Sequence, residues 1–235
     1  MYMFTETSFL EGKILLIDKP FQWTSFQAVN KLKYLLRKKF DLKKIKIGHA
    51  GTLDPLATGL LIVCTGKATK RIIEFQNLTK EYTGTFCIGS TTPSYDLETE
   101  INQTFDNKHI TEDLLQKTTL NFTGEILQKP PIYSAIQKDG KRLYELAREG
   151  KTTEIEARKV TVFTFELTRI ALPEVDFRIV CSKGTYIRSI AHDFGAALQS
   201  GAHLTALKRT KIGDYNVSDA QTPDEFEAQL YHTPV

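Results

Sequence analysis

The segment GHAGTLDPLATG, residues 48 to 59, holds a single carboxylate, Asp54, among three glycines. Pro55 follows directly and restricts the backbone of Asp54 to extended conformations, while Gly51 and Gly59 permit tight turns or close approach of a ligand. A carboxylate held in such a stiff loop can act as a nucleophile or in proton transfer. Aspartate is also common in Asx turns and at helix caps, and the loop composition taken alone favours that structural interpretation.

Three further polar residues, Tyr82, Tyr186 and Arg188, also allow both a functional and a structural interpretation. The segment KGTYIRS places Tyr186 and Arg188 two positions apart, on the same side of a strand end or of an irregular turn. An arginine there could pair with a carboxylate and keep it ionised, or it could be a surface residue beside a core tyrosine. Tyr82 in KEYTG is equally open, because tyrosine is frequent in strands whatever its function.

Several common chemistries have no matching motif in the chain. It contains no G-x-G-x-x-G, P-loop or G-x-S-x-G pattern, and none of its five histidines lies at metal-ligand spacing from another or beside a cysteine. We therefore expect no metal ion.

The elements that position these residues mix strands and helices without regular βαβ alternation. GKILLIDKP predicts a short buried strand. The next segment, TSFQAVNKLKYLLRKK, predicts a helix that opens with a capping box formed by Thr24 and Gln27. Its predicted apolar stripe is Phe26, Val29, Leu32 and Leu36. Later strands are expected at KEYTGTFCIGS, RKVTVFTFELTRI and EVDFRIVCS, with helices at TEDLLQKTT and near the C-terminus. This pattern predicts an α+β fold with a mixed, mostly antiparallel sheet.

Charge is distributed unevenly although the net charge is only +3. The segment from Lys31 to Lys46 contains eight basic residues and one acidic residue, Asp41. Such a run is usually a solvated surface, but it also suits a phosphate backbone. The apolar runs are shorter than the roughly 18 residues of a membrane span, and the N-terminus lacks signal-peptide order, so we expect a cytoplasmic protein that does not contact membranes.

Five segments together resemble the TruB family of tRNA pseudouridine synthases. They occur in the family's order across about residues 12 to 215, and they are LLIDKPFQWTSFQAVN, KIGHAGTLDPLATGLLIVCTGKATK, KEYTGTFCIGSTTPSYDLE, QKPPIYSAIQKDGKRLYELAREG and CSKGTYIRSIAHDFGAAL. The GHAGTLDPLATG block is the most specific of these and reverses the interpretation of Asp54. The resemblance implies the pseudouridine-synthase fold with an RNA-binding cleft, and cofactor-independent isomerisation of uridine 55 in the T loop of tRNA after base flipping.

The resemblance also implies a role for each candidate residue. Asp54 would be the catalytic aspartate, Arg188 the arginine that pairs with it, and Asp96 the acid that holds this arginine. Tyr82 would stack on the target base and take part in proton transfer. The remaining positions would contact RNA or line the substrate pocket, and they are Lys19, His49, Tyr186 and Leu207.

Two departures from the family pattern bear on the expectations. We expect residues 1–215 to form the catalytic domain and residues 216–235 a short tail with no C-terminal PUA-type module. Gln22 stands where relatives often have glycine, which should require a local backbone adjustment. The expected partner is the T-stem loop of tRNA, bound by a monomer. Two alternatives remain: an RNA-folding factor whose chemistry is secondary or lost, and a pseudouridine synthase with another RNA target.

Overall fold

The computed structural model describes residues 4–134, 136–138, 140–150 and 153–232. The described helices are α1 (Glu6–Glu11), α2 (Ser25–Lys39), α3 (Ile72–Asn77), α4 (Glu112–Leu120), α5 (Leu143–Arg148), α6 (Ile187–Ala197) and α7 (Pro223–His232), with 3-10 turns at Gly66–Arg71 and Val217–Asp219. The described strands are β1 (Ile14–Lys19), β2 (Ile47–His49), β3 (Thr58–Thr65), β4 (Lys80–Ile88), β5 (Ser90–Thr91), β6 (Gln103–Thr104), β7 (Gly124–Gln128), β8 (Gln137–Lys138), β9 (Lys141–Arg142), β10 (Arg158–Ala171), β11 (Glu174–Cys181), β12 (Ala202–Ile212) and β13 (Tyr215–Asn216).

The chain divides into two compact units. The first is built from Met1–Tyr82 and Lys208–Val235, and the second from Thr83–Leu207. Strands β4 and β12 contribute residues to both units. Strands β1, β2, β7, β10 and β11 pair antiparallel with their partners, and β3 pairs in parallel with β12. The predicted α+β class with a mixed, mostly antiparallel sheet is therefore confirmed.

In the first unit, β3 is the strand on which the others assemble. β1 pairs antiparallel along one edge of β3, from Ile14 opposite Cys64 to Lys19 opposite Gly59. The other edge pairs with β12 at its start, where Arg209 lies opposite Gly59, and with β2 at its end. Strand β3 begins at Thr58, inside the GHAGTLDPLATG segment, so these pairings fix the C-terminal end of that segment.

Helix α2 forms as predicted, and its capping box is present. The Thr24 hydroxyl accepts from the Gln27 amide at 3.1 Å, and Gln27 Oε1 accepts from the Thr24 amide at 2.7 Å. Its buried face packs on α7, whose Phe226 and Leu230 are fully buried. Helix α7, which lies in the segment expected to be a short tail, thus contributes to the core of the first unit.

The predicted apolar stripe of α2 is wrong at one position. Val29, Leu32 and Leu36 are buried, but Phe26 is 68% exposed. Both Ser25 and Phe26 fit the helical spacing that leads to Val29, so periodicity could not choose between them. Two hydrogen bonds between Ser25 and Leu53 place Ser25 on the buried side instead.

The second unit has β10 between β7 and β11, with antiparallel pairing on both edges. An aromatic cluster fills its core: Phe86 stacks on Phe177 with ring centroids 4.2 Å apart, and Phe165 packs against Phe194 of α6. The sequence did not predict β7 or β12. The dipeptide Asp139-Gly140 is typical of a tight turn between two strands, and Asp139 lies outside the described residues. No helix in the described ranges has the length and apolar character of a membrane span.

Candidate active site

Asp54 begins a tight turn that leads directly into β3. Its carbonyl oxygen accepts a hydrogen bond from the Ala57 amide at 3.1 Å, with Pro55 at the second position of the turn. Proline's fixed φ suits that position, and aspartate is favoured at the first. The side chain of Asp54 is half-buried. The backbone therefore takes the turn that composition favours, and this turn fixes the place from which the carboxylate extends.

The residue before Asp54 is tied to the start of α2. The Ser25 hydroxyl accepts from the Leu53 amide at 2.8 Å and donates to the Leu53 carbonyl at 3.1 Å. Both groups are buried, so each bond lacks competition from water. This paired contact fixes the backbone on the N-terminal side of Asp54.

Lys19, the last residue of β1, holds the other side of Asp54. Its ammonium is fully buried and donates to the carbonyl oxygens of Pro20, Trp23 and Pro55, at 2.9, 2.5 and 3.3 Å. Burial lowers the pKa of Lys19 to about 8, and the negative charge of Asp54 opposes this lowering. Lys19 therefore positions Pro55 and places a positive charge near the carboxylate.

Arg209 of β12 is a further residue of this loop that sequence analysis missed. It is only 1% exposed. Its guanidinium donates from Nε to the Leu60 carbonyl at 2.8 Å and from Nη2 to the Gly51 carbonyl at 3.1 Å. The Thr52 carbonyl lies 3.5 Å from Nη1. One side chain thus joins both ends of the loop that carries Asp54.

No sequence signal identified this role for Arg209. The segment LKRTKI is rich in basic residues, and the pattern does not separate a buried arginine from its exposed neighbour Lys211. Gly59 shows how close the two strands are, since a Cβ there would lie 2.3 Å from the Arg209 carbonyl oxygen.

His49 ends β2 opposite Val63 on β3. Burial lowers the pKa of His49, and the charge of Arg209 lowers it further. The imidazole is therefore neutral at pH 7, which suits an aromatic ring that stacks on a nucleobase.

In the second unit, Arg188 and Asp96 lie together in a buried cluster. Arg188 Nε is 3.7 Å from Asp96 Oδ2. The guanidinium also donates to the carbonyl oxygens of Ser94 at 3.1 Å and Tyr133 at 2.7 Å. The Asp96 carboxylate additionally accepts from the Glu98 amide at 3.0 Å. These contacts hold Arg188, the second residue of α6, in a single orientation.

The other candidates occupy defined positions. Tyr186 occupies the N-cap position of α6, and its backbone exchanges two hydrogen bonds with the side chain of Gln128, at 2.8 and 3.0 Å. Tyr82 is largely buried in β4, and Leu207 is half-buried in β12. The first unit holds Lys19, His49, Asp54 and Tyr82, while the second holds Asp96, Tyr186, Arg188 and Leu207. Contacts within a unit connect Lys19 and His49 to the Asp54 loop, and Asp96 to Arg188.

Two family models match the chain in succession. The model described as TruB family pseudouridylate synthase, N-terminal domain, matches residues 37–187. The model described as tRNA pseudouridylate synthase B C-terminal domain matches residues 188–233.

Similar proteins cover almost the whole chain. A protein from Flavobacterium johnsoniae named tRNA pseudouridine synthase B is 67% identical over 96% of this chain and 99% of its own length. Proteins of the same name from Phocaeicola vulgatus and Chlorobium chlorochromatii are 53% and 46% identical, over 95% and 94% of this chain and 95% and 86% of their own lengths.

Solved structures with a similar fold are larger. A chain in the crystal structure of a Cbf5-Nop10-Gar1 complex superimposes with a TM-score of 0.67 at 31% identity, over 90% of this chain and 51% of that one. A chain in the archaeal box H/ACA sRNP Nop10-Cbf5 complex gives 0.68 at 26% identity, over 97% of this chain and 55% of that one. The present chain spans about half the length of these solved chains.

Proposed function

We propose a function from one premise: the chain belongs to the TruB family of pseudouridylate synthases. We infer that it isomerises uridine to pseudouridine at position 55 in the T loop of tRNA. The similar proteins from Flavobacterium johnsoniae and Phocaeicola vulgatus are named tRNA pseudouridine synthase B, which supports tRNA as the substrate. The observation that carries the proposal is the fixed loop of Asp54, held by Ser25, Lys19 and Arg209.

The reaction breaks one bond of the nucleoside and forms another. The N1–C1′ glycosidic bond is cleaved, the uracil ring rotates, and a C5–C1′ bond forms. The proton on C5 is then lost and N1, released from C1′, gains a proton, so that product and substrate are isomers. No redox partner or group donor is needed for this balance, which is consistent with a protein that acts without a cofactor.

We assign Asp54 the carboxylate chemistry of glycosidic cleavage. A carboxylate can act on a ribose or base carbon only if it is held near that atom, and anchoring on both sides of Asp54 provides this preorganisation. We assign Arg188, which the Asp96 carboxylate orients, the supply of a fixed positive charge. Tyr82 is assigned to stack on the target base and to assist proton transfer.

Base flipping accounts for the other candidates. A uridine inside a folded RNA loop must be extruded at a cost of a few kcal/mol, which stacking and phosphate contacts offset. We assign neutral His49 to the space that flipped bases leave, and Lys19, Tyr186 and Leu207 to the substrate pocket. The basic residues between Lys31 and Lys46 provide charge for the RNA backbone. We further propose that the protein works in the cytoplasm, as a monomer.

The test is release of tritium from C5-labelled uridine in a tRNA transcript. Asp54→Asn should reduce the rate by more than about 100-fold while tRNA binding persists. Asp41→Asn, which removes an exposed carboxylate of the same unit, is the matched control and should keep full activity. Full activity of Asp54→Asn would refute the assignment of Asp54.

Mapping pseudouridine in cells that lack the protein tests the target. Loss of the modification at position 55 of tRNA alone supports the proposal, and loss at another tRNA or rRNA position would redirect it. A wild-type protein that promotes tRNA folding but forms no pseudouridine would favour the folding-factor alternative.

A further inference from the structure

Two aromatic side chains of α2, Phe26 and Tyr34, are exposed to solvent. Phe26 is the residue that was expected in the buried stripe. Phe26 is 68% exposed and Tyr34 is 59% exposed. Single exposed apolar residues are common on soluble proteins, but these two lie eight positions apart and so within about 80° of each other around the helix. The opposite face of α2 is buried against α7.

Cations share this exposed surface with the aromatic rings. Arg37 and Lys38 are exposed in the last turn of α2, and Lys38 Nζ lies 5.9 Å from the centroid of the Tyr34 ring. Lys31 does not belong to the surface, because it forms an ion pair with Glu227 of α7 at 2.5 Å. We call the surface formed by Phe26, Tyr34, Arg37 and Lys38 the outer face of α2.

The outer face of α2 starts beside the loop that carries Asp54. Ser25, the first residue of α2, shares two hydrogen bonds with Leu53, so Phe26 follows the residue that fixes this loop. From Phe26 to Lys38 the helix rises by about 18 Å. The outer face of α2 therefore extends away from the end of the helix that contacts the Asp54 loop, over a length comparable to several nucleotides.

We propose that the outer face of α2 binds a segment of the tRNA beyond the reacting uridine. Phe26 and Tyr34 stack on exposed bases or ribose rings, and Arg37 and Lys38 contact phosphates. The combination of aromatic planes and one sign of charge is that of a single-strand nucleic-acid surface. The inference rests on the proposed function, since it takes tRNA as the molecule that reaches Asp54.

Charge and composition favour RNA over a protein partner at this surface. The exposed residues of α2 include no acidic and no aliphatic side chain, whereas a protein-docking helix face is expected to offer aliphatic anchors. Beyond α2, exposed Lys43, Lys44 and Lys46 extend the positive charge. These lysines and the helix form a surface suited to a polyanion.

The experiment measures steady-state pseudouridine formation and direct binding with an unmodified tRNA transcript. Phe26→Ala and Tyr34→Ala should each raise KM and Kd about 5-fold or more, with kcat within twofold of wild type. Arg37→Gln and Lys38→Gln should each lower the slope of log Kd against log salt by about 1. Phe163→Ala and Lys108→Gln remove an exposed ring and an exposed charge of the second unit and are the matched controls.

The outcomes separate this proposal from the proposed function. If wild type forms pseudouridine and the variant with all four substitutions keeps wild-type KM, Kd and salt slope, the outer face of α2 does not bind RNA and the enzymatic function stands. If wild type forms no pseudouridine yet binds tRNA, and the four substitutions weaken that binding, the surface stands and the enzymatic function falls. A wild type that neither binds nor modifies tRNA overturns both.

Discussion

The guanidinium of Arg209 donates a hydrogen bond to the carbonyl oxygen of Gly51 at 3.1 Å, and this bond ties β12 to the loop that carries Asp54. A second bond from the same side chain reaches Leu60, beyond the loop, at 2.8 Å. Within the described residues the guanidinium has carbonyl partners rather than a carboxylate, so loop dipoles offset the cost of burying its charge. Arg209 therefore positions the loop that carries Asp54.

Replacing Arg209 with lysine tests this positioning. Lysine keeps the charge but cannot direct two donors along the fork of a guanidinium. We expect Arg209→Lys to lower kcat about 10-fold or more, with Kd for tRNA within threefold and a loss of stability of about 1–3 kcal/mol. Single-turnover rates at saturating tRNA, together with urea unfolding, measure both effects.

Ile212→Val provides the matched control for Arg209→Lys. Ile212 is fully buried in the same strand, and this change should cost about 1 kcal/mol without altering a bond to the loop. If Ile212→Val lowers kcat as much as Arg209→Lys does at comparable stability, Arg209 is only structural.

The second prediction concerns Gly59, which lies opposite Arg209 where β3 pairs with β12. Its φ is 104°, and a Cβ would lie 2.3 Å from the carbonyl oxygen of Arg209. Because backbone atoms cannot move aside cheaply, Gly59→Ala should lose about 3 kcal/mol or more of folding free energy. Gly124→Ala separates the two causes: its φ is 94° with no atom within 4 Å, so it should lose only the backbone part, about 1 kcal/mol.

Local patterns predicted the features that depend on near neighbours in sequence. The capping box from Thr24 to Gln27 and the turn from Asp54 to Ala57 each span four residues, so local composition determines both. The local backbone adjustment expected at Gln22 is not seen, because its φ of 65° lies in the left-handed region that favours glycine.

Distant contacts could not be predicted in this way. Arg209 meets Gly51 across 158 positions, and Arg188 meets the Ser94 carbonyl across 94. The resemblance to a family placed Asp96 beside Arg188, whereas residue spacing did not. Phe26 was misassigned because a serine contact, rather than hydrophobicity, decides which side of α2 is buried.

The third prediction is that burial, rather than the distance between the charges, determines how much the Asp96–Arg188 ion pair stabilises the protein. Their atoms are 3.7 Å apart in a buried site, whereas the exposed pair of Arg148 and Glu98 is closer, at 2.8 Å. Asp96→Asn should cost about 3 kcal/mol of stability and lower kcat, because it removes the buried carboxylate that lies 3.7 Å from the guanidinium of Arg188.

Glu98→Gln is the matched control for Asp96→Asn, and it should cost less than about 1 kcal/mol. Thermal unfolding and single-turnover rates of the two variants provide the comparison. Equal losses of stability in both would show that burial does not strengthen the Asp96–Arg188 pair.

Lys19 leads to a prediction on pH. Burial lowers its pKa to about 8 in the folded chain, against an ordinary value of 10.5. Between these values the unfolded chain retains a proton that the folded chain has lost, so the free energy of unfolding should rise with pH from about 8 to 10.5. The rise attributable to Lys19 is at most about 3 kcal/mol.

Urea unfolding of wild type and Lys19→Met from pH 7 to 10 measures this rise as the difference between their pH profiles. Lys67→Met, which replaces an exposed lysine of the same unit, provides the baseline. Parallel profiles for wild type and Lys19→Met would contradict a charge buried at the Asp54 loop.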